Sequence, residues 1–574
     1  MKKMTASKPR SLSAWRGLLF FFLAFVGLEL HANQKVTCLL PLASDQQGQA
    51  VPSSLFPDTS FGGGNAGWEA YMKLWVAHHQ DPGNLDVRRF LGLPIAEPFV
   101  FQARRGRTSP RWLGWQAGTF AQVETSHFSI YSTADENITR RVAEDLERCF
   151  WIWTQMFFPL WEGSVQVSSV LAEYQPSESI IDFLSAKRPR LSIRRRFQVV
   201  LLKDAEQYRQ TLQSEDAGIE VSTGFYSDSL KTIFLYDDKQ DASETRRHEL
   251  THQLFREATR SSLGQASPGE AEGFWLVEGI AGYMESLSIG TRSATVGGWD
   301  APRLQYARYR VLAGGDLIAA EELMRDGQRE AQQRSDLSRW YSHSIAHVHA
   351  LMDGGDVDSR RWVYHRLGAL YRTRSPMESL QNEKAINAEI IQSWGRGLQQ
   401  YLQVNDAVLE SAPPEKPLRV LCLTGCEVTE TGLQKIPVSQ RLTWLDLARL
   451  PIGNQAVERL IPDPSGLQQL TLEVTRVDDE LSDWIREAKS LRELDMSWTQ
   501  VGDVFLQSAT EARSLSVLWM TGTRITDTSV DALLRLPNLE SLDVQRTQIS
   551  EAGLERIRSA RPDLQLNPLE LRSP

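Results

Sequence analysis

The sequence predicts an α+β domain followed by an α/β solenoid. Three observations carry that reading. From residue 69 to 410, short β-branched and aromatic runs come first and helical periodicity dominates later, which is the order of an α+β domain rather than of alternating strands and helices. From Leu418 the chain repeats itself every 24 or 25 residues, the mark of stacked, nearly identical coils. Between the two lies Ser411 to Pro417 (SAPPEKP), a Pro-rich break and the expected 411–417 linker.

Composition narrows the function. Of 574 residues 41% are hydrophobic and 24% charged, so the chain can bury real cores and is not disordered. A net charge of −9 argues against nucleic acid as a partner. The four cysteines, at 38, 149, 422 and 426, suit neither a disulfide scaffold nor a zinc knuckle. A bound metal would therefore have to be held by histidines and carboxylates.

The elements follow in chain order. Lys2, Lys3, Lys8, Arg10 and Arg16 precede the apolar run Gly17 to Leu28, and Leu30-His31-Ala32 offers a cleavage site. This order predicts a signal peptide over 1–32 and an exported protein, with an uncleaved anchor as the rival. The run is too short for a mature membrane span, and no later segment is long and apolar enough. Residues 33–68, with Gly62-Gly63-Gly64, read as a linker. Val142 to Trp161 is a helix with an aromatic inner face, and Phe197–Leu202 and Thr232–Tyr236 are strands. Helices dominate from Ser243 to Gln403.

The repeats begin at Leu418, Leu442, Leu467, Leu491, Leu515 and Leu539, with a truncated one at Leu564. Each full repeat places apolar residues three and five positions on, and Val or Ile at ten. This rhythm resembles leucine-rich repeats. Where that family usually has Asn or Cys bonding the turn, this chain has Cys426, Leu450, Thr475, Thr499, Thr523 and Thr547. Cys422 and Cys426 fall on packing positions. The resemblance implies a concave strand face able to take a protein partner.

One motif carries chemistry. His248-Glu249-Leu250-Thr251-His252 is H-E-x-x-H. On a helix the two imidazoles, four residues apart, share a face and can reach one ion. Zinc lowers the pKa of a water toward 7, and Glu249 can take the proton. A longer H-E-x-x-H-x-x-G-x-x-H pattern is excluded by Phe255 and Ala258. The third ligand is expected from Glu278 in Trp275–Glu285 (WLVEGIAGYME), with Glu270 and Glu272 as rivals. Gly279, Ala281 and Gly282 let helices approach closely around the ion.

These residues resemble a gluzincin-type zinc peptidase, and more narrowly the peptidase MA-like domains of unknown function in bacterial exported proteins. The resemblance spans about residues 120–403. It includes Glu124-Thr125-Ser126-His127-Phe128, and Gly224-Phe225-Tyr226 ahead of an edge strand. It implies a zincin-like domain, Zn2+ held by His248, His252 and Glu278, and Glu249 as general base. It also implies an oxyanion donor on a later helix; Tyr341 is favoured, with His343 second. Thermolysin-like members carry an Asp four residues after the ligand Glu, bonded to a ligand histidine. Here that position is Gly282, and Glu285 or Glu272 are the substitutes. His343 and His347 form a second pair at helical spacing. Lys187 to Arg196 reads as a solvated basic loop, and His78, His79 and His127 as structural. The expectation is an exported zinc metallopeptidase acting on protein or peptide. The alternative is an inactive zinc-binding scaffold.

Overall fold

A computed structural model describes residues 35–567, except 52–65, 166, 172, 176, 189–190, 214–222, 238–242, 355–356, 374–387 and 415. The expected signal segment lies outside the described residues. Among them no helix is long and apolar enough to cross a membrane.

The 33–68 linker reading needs correction at both ends. Val36–Leu39 (β1) is a strand, Cys38 and Leu39 are buried, and Trp68 is fully buried in helix α1 (Ala66–Gln80). His78 Nε2 accepts the Leu42 amide at 3.0 Å, and His79 Nε2 meets the Leu40 carbonyl at 2.9 Å. Four residues are too few to give a periodic signal, and the strand's partner lies more than 250 residues away.

A six-stranded mixed sheet forms the body of the first domain. Its strands are β2 (Gln102–Arg105), β3 (Ala121–Glu124), β4 (Phe128–Ser132), β5 (Phe197–Leu202), β6 (Gly224–Ser227) and β7 (Thr232–Tyr236), in the order β2-β3-β4-β5-β7-β6. β4, β5 and β7 run parallel; β6 is an antiparallel edge strand. Gly224-Phe225-Tyr226 are thus the edge strand itself. The expected strands at 197–202 and 232–236 are β5 and β7.

One face of the sheet presents Ile130, Val199, Leu201, Ile233 and Leu235 to the main core. Against that core lies helix α2 (Glu136–Met156), whose N-cap Asp135 accepts the Asn137 amide at 2.8 Å. The helix expected over 142–161 is two helices, because a second begins at Phe158 with Pro159 in its first turn. Proline has no amide hydrogen to continue the earlier helix. The opposite face holds a smaller cluster of Val200, Leu202, Phe234 and Tyr208.

The later part is helical: α3 (Ser243–Gln253), α4 (Phe274–Glu285), α5 (Pro302–Arg308), α6 (Leu337–Asp353) and α7 (Ala388–Leu402). Between α4 and α5 a hairpin of β8 (Ser288–Ile289) and β9 (Ser293–Val296) receives β1 as its outer strand. Asp353, fully buried, accepts hydrogen bonds from Tyr283 (2.6 Å), Tyr401 (2.9 Å) and the Gly298 amide (2.8 Å). It ties α4, α6 and α7 to the loop before α5.

Seven parallel strands, β10 (Val420–Cys422) to β16 (Gln565–Leu566), follow in strict order and register. Leu421, Leu445, Leu470, Leu494, Leu518, Leu542 and Leu566 are consecutive partners. Thr475, Thr499, Thr523 and Thr547 donate to carbonyls three residues earlier at 2.6–2.7 Å, which closes each turn. Acids stitch the coils together: Asp479 accepts the Gly502 amide at 2.6 Å, and Asp503 and Asp527 accept those of Thr526 and Ser550 at 2.8 Å. Packing begins ahead of the Pro-rich segment. Val404 and Leu409 belong to the repeat core, and Asn405 bridges to Glu427. An open solenoid end would leave leucines in water, so a capping turn has to precede the first coil.

Candidate metal centre

The H-E-x-x-H motif lies on α3, and its ring centroids are 4.9 Å apart. α4 lies against α3 and brings Glu278 across. Glu278 Oε2 is 3.3 Å from His248 Nε2, and Oε1 is 3.7 Å from His252 Nε2. Ligand atoms of the three residues all fall within 4.8 Å of one another, the one such group of histidine, cysteine and acid among the described residues. Tetrahedral zinc with bonds near 2.0 Å sets its ligand atoms about 3.3 Å apart. The donor set and its spacing therefore fit zinc.

Electrostatics holds two of the three residues, His252 and Glu278, in the protonation state a ligand needs. Burial holds the His252 imidazole down at about 4, so it is neutral at pH 7. Burial opposes the Glu278 charge, but His252 and His248 outweigh it and keep the carboxyl below its usual range. Burial likewise opposes charge on His248, and its bonds to Glu278 and Glu285 raise its pKa well above normal. Burial raises the Glu249 carboxyl to about 7, the range of a group that exchanges protons at neutral pH. The Tyr226 amide of edge strand β6 donates to Glu249 Oε2 at 2.8 Å and aims that carboxylate. Gly224 makes the approach possible: a Cβ there would sit 2.8 Å from Thr245 Cγ2 on α3.

The outer partner of His248 is Glu285. Its Oε1 accepts from Nδ1 at 2.8 Å, which leaves Nε2 for the cluster. Gly282, one turn earlier, faces Ile345 of α6 instead. Glu272 is exposed and pairs with Arg366, and Glu270 is exposed, so neither reaches the cluster. Gly279 and Gly282 serve the contact between α4 and α6. A Cβ at Gly279 would meet Val348 at 2.4 Å and the Ser344 carbonyl at 2.8 Å, so these glycines seat α4 on α6.

α6 carries Tyr341 into the same cleft. Its hydroxyl hydrogen-bonds to Glu278, and that carboxylate, with burial, raises its pKa above the phenol range. His343 is fully buried between the Arg339 and Asp316 carbonyls, at 2.9 and 2.7 Å, which removes it as a donor. His347 is buried beside Trp275, where burial lowers it to about 3, and it joins no metal group. His127 pairs with buried Glu147 at 2.8 Å and stacks on Phe150. The four cysteines are buried and free.

His248, Glu249, His252, Glu278 and Tyr341 line one cleft of about 320 Å³, with Phe225, Tyr226, Phe274, Val277 and Tyr371 as its apolar wall. Buried Arg256 is held by Asp228 at 2.7 Å in the same wall. Sequence reasoning did not single out Arg256, Asp228, Tyr371 or Arg303. Their contacts cross between elements and leave no spacing signal.

Comparison with known proteins bears on the other half of the chain. Residues 487–504 match the family model described as Leucine Rich repeat. The matched stretch lies inside the seven-stranded parallel repeat array. Among solved structures, a leucine-rich-repeat protein of Leptospira interrogans is similar at 17% identity and a TM-score of 0.19, over 29% of this chain and 55% of that one. This chain thus spans about half the length of that protein. No curated protein matches the sequence.

Proposed function

We propose that the chain is an exported zinc metallopeptidase whose leucine-rich repeats bind a protein partner or substrate. The convergence of His248, His252 and Glu278 beside Glu249 in one cleft carries the reading. Zinc held there would supply Lewis acidity and lower the pKa of a nearby water toward neutrality. Glu249, fixed by the Tyr226 amide, takes a proton from the attacking water and passes it to the leaving amine. Tyr341 donates to the oxyanion that develops on the substrate carbonyl. The apolar wall excludes water and seats a side chain beside the scissile bond. Glu285 meets His248 where thermolysin-like members use the Asp absent at position 282, which supports the enzyme over the inactive scaffold.

Glu249→Gln is the direct test of function. The variant is expected to keep its zinc and to lose hydrolysis of a proteome-derived peptide library by at least 100-fold. Equal cleavage by the variant and the wild type overturns the assigned chemistry.

A further inference from the structure

We propose that Arg303 is a positioning residue for the metal centre, holding the Glu285 carboxylate against His248 from a helix clamped by the first repeat. The inference rests on the proposed zinc site. Glu285 ends α4 and is 5% exposed. One oxygen bonds His248; the other accepts Arg303 Nε at 2.7 Å. Each oxygen thus has one anchor, and the guanidinium is what keeps the side chain from rotating about the other. Glu244, in the first turn of α3, adds a reason. It lies close enough to repel Glu285, and Arg303 offsets that repulsion. Without the guanidinium, two neighbouring carboxylates would push the His248 partner away.

Arg303 can serve as an anchor because α5 does not move freely. Gln305 Oε1 accepts the Cys422 amide of β10 at 3.0 Å. Arg308, fully buried, donates to the Cys422 carbonyl at 3.0 Å, to Leu402 at 2.8 Å and to Trp299 at 2.9 Å. Trp299 lies in the repeat core, its indole bonded to the Ala412 carbonyl at 2.9 Å. A continuous set of hydrogen bonds therefore runs from the first repeat strand through α5 to the outer partner of a zinc ligand. The repeats become part of the framework of the site, besides offering a face to a partner.

The ordinary reading of Arg303 is a half-exposed surface ion pair, which is worth little to stability. The two readings separate on metal affinity. Full-length wild type, Arg303→Met and Arg303→Lys are compared by chelator competition for zinc, by the visible spectrum of the cobalt-substituted protein and by thermal unfolding without metal. Arg303→Met is expected to weaken zinc binding about 10-fold and shift the cobalt bands. Metal-free unfolding is read in parallel, so that any stability lost by unpairing the buried Glu285 carboxylate is told apart from lost affinity. Arg303→Lys, which keeps the charge, is expected to recover at least half of the affinity. Zinc binding by Arg303→Met equal to wild type, with an unchanged cobalt spectrum, overturns the inference alone. A wild type that holds no zinc overturns the proposed function and this inference together.

Discussion

His248 has a use for each ring nitrogen. Nδ1 meets Glu285 and Nε2 faces Glu278, so the ring cannot turn without losing a partner. That precision was half legible in the sequence. The spacing of His248 and His252 is a property of any helix, so it needs no knowledge of the fold. Glu278 and Tyr341 were legible as residues of a familiar pattern. Glu285 was one of two substitutes, and only the placing of α4 chooses between them. At the same scale, Asp446 in the repeats is a buried carboxylate that burial raises to about 7. It accepts the Ala448 amide at 3.0 Å and stands beside the Cys422 thiol. Its folded pKa exceeds its unfolded one. The stability it contributes is complete below about pH 4 and is lost as pH rises through about 7. Asp446→Asn keeps the acceptor and removes the ionisation. Thermal unfolding of this variant is expected to show a higher midpoint than wild type at pH 8 and a smaller difference between pH 5 and pH 8. Identical pH dependence in the two proteins would refute that role.

At the scale of elements, three helices hold the site in place. α3 fixes the motif against edge strand β6, α4 crosses it with Glu278, and α6 backs α4 and delivers Tyr341. The sequence marked the strands at 197–202 and 232–236 because each is a β-branched and aromatic run, and the repeats because their leucine spacing recurs. It did not mark β1, which depends on a distant partner, and it joined two helices that Pro159 separates. The small residues of α4 were read as a close helix contact, and the helix that Gly279 and Gly282 meet is α6. A glycine says that something comes near and not what. Gly279→Ala tests this contact, since its methyl would overlap Val348 and the Ser344 carbonyl. Overpacking of this kind costs about 1–3 kcal/mol. Chemical denaturation is expected to register that loss, and peptide hydrolysis to fall with it, because Glu278 and Tyr341 are then displaced from each other. Full stability and full activity in Gly279→Ala would show that α4 is not seated this way.

At the scale of the molecule, two architectures share a joint rather than a loose tether. The 411–417 segment is Pro-rich as expected, yet the repeat core begins before it with Val404 and Leu409, and Trp299 enters that core from the other domain. Composition and periodicity reveal where a pattern starts and not what packs against its first member, so this joint was not legible in advance. The arrangement gives the repeats a structural duty toward the first domain. Zinc binding is the proposal on which the rest depends. Elemental analysis of the full-length protein, purified without chelator and paired with the His252→Ala variant, measures it most directly. One zinc per wild-type chain, with a content near zero in His252→Ala, is the expected result. Wild-type protein with less than a tenth of a zinc per chain, or equal zinc in both proteins, contradicts it.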